Sequence, residues 1–231
     1  MQNFGRTLLH LLALLSVKVV TLSLLFIGCL LLSYSIVHDV FVDKDTVFDT
    51  IMFALADQVS SPAMTRFMRY VSLLGSDEYL MVVPAIVVLI FAFYRGLRWH
   101  SLRVLLISFI SSILNQLLKL YYERPRPSFA MFDATGLSFP SGHAMIGGVF
   151  HGLLIYIVWI TVKTRKWRWL LAGLLTLIVL LVGFSRIYLK VHYATDVVAG
   201  YAMGIVWLLM SLYLLALIEQ YYTNRYQKHK L

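Results

Sequence analysis

Six apolar windows, Val19–Val37, Tyr79–Tyr94, Leu102–Leu120, Ala144–Val162, Trp169–Phe184 and Val197–Ile218, are too long and too poor in charge to be the half-buried helices of a water-soluble domain. In a bilayer the backbone of such a segment has no water to bond, so it satisfies its own donors and acceptors by becoming a helix. The chain is 60% hydrophobic and 13% charged, with a mean hydropathy of +0.80, a balance that belongs to membrane proteins. The expected fold is all-α and polytopic, with six transmembrane helices filling residues 1–231 as one domain and no room for a separate soluble unit. The Leu-rich stretch Met1–Lys18 lacks a small-residue cleavage site and reads as part of a retained first anchor.

A net charge of +9 would suggest nucleic acid for a soluble protein, but here position matters more than sum, and no nucleic-acid partner is expected. Arg6 and Lys18, then Arg95, Arg98 and Arg103, then Lys163, Arg165, Lys166 and Arg168, and finally Arg225, Lys228 and Lys230 occupy alternate connections. Both termini are therefore expected on the cytoplasmic side. Lys119, Arg124, Arg126, Arg186 and Lys190 fall on the opposite side, against the orientation rule, and cations so placed are candidates for function. The single cysteine, Cys29, has no partner for an intrachain disulfide or a metal site.

Between the first two spans, His38 to Asp77 is too polar to cross a membrane yet patterned. Ser61-Pro62 is a helix-start signal and Gly75 a plausible stop. Met64, Phe67, Met68, Val71 and Leu74 recur at helical spacing, as do Phe48, Ile51, Met52 and Leu55. The spacing predicts two short amphipathic helices over 46–75 lying at the outer interface, either admitting lipid to a site or merely covering helix ends.

The third span ends near Lys119 and is stopped by Glu123-Arg124-Pro125-Arg126-Pro127, where two prolines force an extended exit. A loop then leads to Pro140-Ser141-Gly142-His143, which opens the fourth span; free N–H groups near Ser141 and Gly142 at a helix start suit a phosphate, with His143 at its edge. Ser185-Arg186, five residues, then His192 and Asp196 form the last polar interruption. If a helix starts near Tyr193, Asp196 shares a face with His192 and can orient its ring, while Arg186 meets them only if a turn intervenes. Such a group suits an anion, most simply phosphate; the alternative is a connecting histidine beside a helix-capping aspartate. Gly148 and Gly152, and Gly200 and Gly204, allow the fourth and sixth spans to approach closely and bring His143 towards His192. His151 and Asn115 read as packing contacts rather than ligands.

Taken together, Lys119-x6-Arg126-Pro127, Pro140-Ser141-Gly142-His143 and Ser185-Arg186-x5-His192-x3-Asp196 resemble the three-part signature of the type 2 phosphatidic acid phosphatase superfamily, over a signature region of 119–196. The resemblance implies that His192 is a nucleophile forming a phosphohistidine, that Asp196 fixes its tautomer, and that His143 protonates the leaving alkoxide. It also implies that Lys119, Arg126 and Arg186, with the N–H groups near Ser141 and Gly142, bind the phosphate oxygens, without metal or other cofactor.

The implied partner is a phosphate-bearing membrane lipid at the extracytoplasmic surface of a cell membrane. Phosphatidylglycerophosphate is the preferred substrate, with undecaprenyl diphosphate, phosphatidic acid and diacylglycerol pyrophosphate as alternatives. A lipid or anion transporter is the alternative outside enzymes, weakened by charges confined to one surface and by the lack of recurring broken helices.

Overall fold

The computed structural model describes residues 17–228, and among these every regular element is helical. The Leu-rich stretch over 1–16 and the last three residues, with basic Arg6 and Lys230, lie outside the described residues. In chain order the helices are α1 (Val17–Phe41), α2 (Val47–Gln58), α3 (Pro62–Leu73), α4 (Asp77–Phe93), α5 (Arg98–Tyr122), α6 (Gly142–Thr161), α7 (Arg165–Tyr188) and α8 (Ala194–Lys228), with a 3₁₀ turn at Arg95–Leu97 before α5.

Each of the six apolar windows lies within, or extends one residue past, a long helix. Five of them, α1, α5, α6, α7 and α8, are long and apolar enough to cross a bilayer by themselves. The sixth, α4, has 17 residues and reaches spanning length only together with α3, from which it is bent by 44°. The bend falls at Gly75-Ser76, where the Ser76 hydroxyl accepts the N–H of Tyr79 at 3.2 Å and starts a new helix. Large side chains such as Leu24, Leu31, Leu89 and Phe109 point outward, as expected where lipid rather than water surrounds the helices.

Helix α6 runs through the centre, against α8, α7 and α5, and Val149, Phe150 and Leu153 in it are fully buried. The α6–α8 approach is set by glycine. A Cβ on Gly200 would stand 2.9 Å from the Ser141 carbonyl oxygen, and one on Gly204 would stand 3.0 Å from that of Met145. Main chain therefore rests on main chain at the end of the bundle where α6 and α8 both begin.

The polar stretch after α1 forms the two expected short helices. Ser61 caps α3 by accepting the Met64 N–H at 3.2 Å, with Pro62 at the first helical position. Their burial differs from the expected stripe. In α2, Phe48, Ile51 and Leu55 of the predicted apolar face are exposed and only Met52 is half-buried, while the residues turned inward are Asp49, Phe53 and Ala56. In α3, Met68 and Val71 are buried as predicted, together with Ser72. These helices pack on α7, and α2 also on α8, so Phe48, Ile51 and Leu55 face away from the protein while a carboxylate enters it.

Candidate active site

The three polar interruptions converge because α5 and α7 end, and α6 and α8 begin, at the same end of the bundle. Helix α5 stops at Glu123, which adopts a left-handed conformation with φ 48° and donates its N–H to the Lys119 carbonyl at 2.9 Å. Pro125 and Pro127 carry the chain onward without helix. The loop returns when the Ser138 N–H bonds the Arg124 carbonyl at 2.8 Å. Asn115, 1% exposed within α5, donates through Nδ2 to the Pro140 carbonyl at 3.3 Å and so supports the turn that opens α6.

At the other junction, Lys190 takes φ 56°, and the N–H groups of Val191 and His192 turn back onto the Arg186 carbonyl at 3.1 and 3.3 Å. This is the turn that an Arg186–His192 encounter requires. His192 precedes α8, which starts at Ala194. Its pairing with Asp196 therefore arises from a helix cap rather than from a shared helical face. The Asp196 carboxylate accepts the Tyr193 N–H through Oδ2 at 3.0 Å, half of a capping box, and the same oxygen lies 3.3 Å from His192 Nδ1. The Ser138 hydroxyl also donates to that oxygen.

The other ring nitrogen of His192, Nε2, accepts from Arg126 Nη1 at 3.2 Å. With donors facing Nε2 and a carboxylate facing Nδ1, the tautomer is set: the proton sits on Nδ1 and the lone pair on Nε2. Burial pushes the His192 pKa down to about 4, against the opposing pull of Asp196, so at neutral pH the imidazole is uncharged. Arg126 is itself anchored to the carbonyls of Val191 at 2.9 Å and Gly136 at 3.2 Å.

Beside this dyad lies a cavity of about 570 Å³ whose wall includes Lys119, Arg126, His143 and Arg186, with Arg69 and Ser72 contributed by α3. Arg186, 6% exposed, donates through Nη1 to the Ser72 hydroxyl, while its Nε is buried without a hydrogen-bond partner. His143 backs onto the chain between α3 and α4: a Cβ on Gly75 would meet its Cδ2 at 2.8 Å. Four cations, Arg69, Lys119, Arg126 and Arg186, and one imidazole line this open cavity, whose rim also carries Asp77, Glu78 and Asp133; the cations can hold a tetrahedral dianion by charge and directed N–H groups, with a second imidazole behind Arg126.

The structure brings together Lys119, Arg126, His143, Arg186, His192 and Asp196. Ser141 departs from expectation. Its N–H is engaged by the Asp196 carbonyl at 3.1 Å and its hydroxyl is buried without a partner; neither Ser141 nor Gly142 lines the cavity. The reason is the close α6–α8 approach, which turns the start of α6 onto α8. Asn115 and His151 are packing contacts: the His151 Nδ1–H donates to the Gly147 carbonyl at 2.8 Å and its ring stacks on Tyr79. Of the remaining topology-defying cations, Lys190 pairs with Asp57 at 2.7 Å, whereas Arg124 reaches Asp196. Asp49, Ser72, Ser138 and Thr195 carried no sequence signal, since each is an ordinary polar residue until the fold buries it. His38, Asp39 and Asp43 form a cation-capable group, but none of them lines the cavity.

Residues 100–219 match the sequence profile of the PAP2 superfamily. The chain is 33% identical over 152 residues to phosphatidylglycerophosphatase B of Bacillus subtilis, covering 64% of this chain and 73% of that protein. It is 31% identical to an undecaprenyl-diphosphatase of Sulfolobus acidocaldarius, covering 70% and 76% of the two. Its backbone resembles the crystal structure of the transmembrane PAP2-type phosphatidylglycerolphosphate phosphatase from Bacillus subtilis, with a TM-score of 0.72 at 27% identity over 84% of this chain and 94% of that one.

Proposed function

Because the chain belongs to the PAP2 superfamily and is a multi-pass membrane lipid phosphatase, we propose that it hydrolyses phosphatidylglycerophosphate to phosphatidylglycerol and inorganic phosphate without metal, at the extracytoplasmic surface of a cell membrane. One observation carries the site assignment: Lys119, Arg126, Arg186 and His143 line one cavity, and the buried Nε of Arg186 has no protein partner. A phosphate oxygen supplies the missing acceptor.

In this reading the phosphate monoester enters between Lys119, Arg126 and Arg186, and its oxygens take over the Arg126 donor that covers His192 Nε2. That nitrogen attacks phosphorus; the P–N bond forms as the bond to the lipid oxygen breaks. Asp196 holds the Nδ1–H and balances the charge that develops on the ring. His143 gives its proton to the departing alkoxide, then takes one from the water that cleaves the phosphohistidine, so inorganic phosphate leaves and both rings return to their starting states. The cations stabilise the equatorial oxygens in both steps.

Sidedness is supported by charge: the site lies at the end of the bundle opposite Arg95, Arg98, Lys163, Arg165 and Lys166, and the positive-inside rule favours the cytoplasm for those residues and for both termini. The choice of phosphatidylglycerophosphate is supported by the names of the Bacillus subtilis relatives. Undecaprenyl diphosphate is the second reading, favoured by the similarity to the Sulfolobus acidocaldarius enzyme. The test is phosphate release by purified protein with chelator present, from phosphatidylglycerophosphate, phosphatidic acid and undecaprenyl diphosphate, beside His192→Ala. Fastest release from phosphatidylglycerophosphate, lost in the variant, is expected. A faster diphosphate reaction would transfer the assignment to the second reading, and full activity in His192→Ala would end the nucleophile assignment.

A further inference from the structure

Asp49 stands near the start of interfacial helix α2, yet it is 2% exposed and its carboxylate is spent on residues from the far end of the sequence. Its Oδ1 accepts the Thr195 N–H at 2.8 Å, and the Thr195 hydroxyl lies 3.0 and 2.9 Å from its two oxygens. Asp49 thus satisfies one of the free donors at the start of α8, a capping role supplied from another helix. Its Oδ2 meets Arg124 Nη2 at 2.9 Å.

Arg124 continues the chain of contacts. Its Nη1 donates to Thr195 Oγ1 at 2.8 Å and to Asp196 Oδ1 at 2.5 Å, and its guanidinium lies 3.9 Å from the centre of the Tyr193 ring. The two oxygens of Asp196 are therefore divided. Oδ1 is held by Arg124, while Oδ2 receives Ser138, the Tyr193 N–H and His192 Nδ1. A carboxylate gripped at one oxygen has its plane fixed, and the plane decides where the other oxygen presents itself to the imidazole.

We propose that Asp49 and Arg124 are positioning residues for this phosphatase: Asp49 fixes Arg124 and the first turn of α8, and Arg124 fixes the Asp196 carboxylate that orients His192. The proposal rests on the reading of His192 as nucleophile. Neither residue lines the cavity, so they act on turnover rather than on lipid binding. Asp196, Arg126 from the 123–141 loop and Arg186 on α7 act on the imidazole directly, with His143 on α6 nearby, and Asp49 and Arg124 add their alternating charges through the ion pairs that lead to Asp196. Interfacial helix α2 is thereby tied to the chemistry: its outer face meets lipid while its inner face holds the carboxylate of the dyad in register.

The experiment compares Asp49→Asn, Arg124→Gln and Arg124→Lys, as full-length protein in mixed micelles of detergent and phosphatidylglycerophosphate, by kcat, KM and the acid limb of kcat/KM. In Asp49→Asn and Arg124→Gln, kcat is expected to fall about 10- to 100-fold with KM unchanged, by analogy with the loss of a group that orients a reactive ligand. The limbs should move in opposite directions. Removing the Arg124 cation favours the imidazolium and shifts the limb to higher pH; removing the Asp49 anion shifts it lower. Arg124→Lys keeps the charge without the fork, so its limb stays with the wild type while kcat remains reduced. Unmoved limbs in Asp49→Asn and Arg124→Gln, or a loss carried by KM, overturn the proposal. If Arg124→Gln does not fold, the limb of Asp49→Asn and the kcat of Arg124→Lys decide it in the same way. An inactive His192→Ala beside unshifted Asp49→Asn and Arg124→Gln sinks the positioning role alone, whereas an active His192→Ala sinks the nucleophile.

Discussion

Arg126 Nη1 stands 3.2 Å from His192 Nε2, so the unprotonated nitrogen of the dyad is covered by a cation that also lines the neighbouring cavity. The same guanidinium is anchored on the carbonyls of Val191 and Gly136.

Arg126→Lys keeps a charge but loses the fork that spans a carbonyl and an imidazole. Turnover is expected to fall on the order of 10²- to 10³-fold, the usual cost of losing one preorganised donor. Arg165→Ala, at an exposed position on the opposite end of the bundle, should retain the wild-type rate. Equal rates for the two variants in a phosphate-release assay would remove Arg126 from the site.

Asp196→Asn removes the charge that both holds the His192 tautomer and pairs with Arg124. A rate loss approaching 10³- to 10⁴-fold is expected from the tautomer alone. The broken buried pair should lower stability by about 3 kcal/mol. Stopped-time phosphate release and thermal unfolding in detergent measure the two effects separately; an unchanged rate would show that the ring is oriented without the carboxylate.

The pH dependence follows from burial of His192. Its folded pKa, about 4, lies below the ordinary value near 6.5, so the unfolded chain binds the extra proton first. Stability should therefore rise as pH increases from about 4 to about 6.5 and then level off. The acid limb of activity should lie near pH 4 on this account, since the nucleophile is already neutral above it. His192→Gln should flatten the stability profile in that window, and a profile as steep as the wild type would assign the titration to another group.

Gly204→Ala places a methyl group 3.0 Å from the Met145 carbonyl oxygen, where main chain must yield. A loss of about 1–3 kcal/mol is expected for such overpacking, with lower turnover because the α6–α8 approach sets the His143–His192 relation. Gly28→Ala, whose Cβ would meet nothing within 4 Å, is the matched control. Identical unfolding temperatures for the two would deny that this glycine sets the helix spacing.

Gly75→Ala tests the back wall. Its methyl would lie 2.6 Å from Val182 Cγ1 and 2.8 Å from His143 Cδ2, and the imidazole is the group at the cavity edge. The expected result is reduced kcat with membrane insertion intact, read by phosphate release and by the amount of extractable folded protein. Wild-type kcat would mean that the His143 position tolerates displacement.

The spans were legible because transfer into a bilayer is decided within each segment: the apolar side chains of Val19–Val37 or Val197–Ile218 suffice to make it span, whatever its neighbours. The cationic residues were legible for a related reason, since Lys119, Arg126 and Arg186 contradict the charge placement of the rest of the chain. The motif spacings then joined His143, His192 and Asp196 to the same family pattern. Other features depended on contacts between distant segments. Ser141 was expected to offer its N–H to phosphate and instead bonds the Asp196 carbonyl, because the glycine-lined approach of α8 claims that donor first. Asp49 sits beside the apolar periodicity of α2 and resembles a solvated face in sequence; only the packing of α2 on α7 and α8 turns it onto Arg124 and Thr195. Hydropathy and charge placement act along the chain and are written in it, whereas the partners of a buried carboxylate are fixed by which helices meet, and that was decided by the tertiary structure.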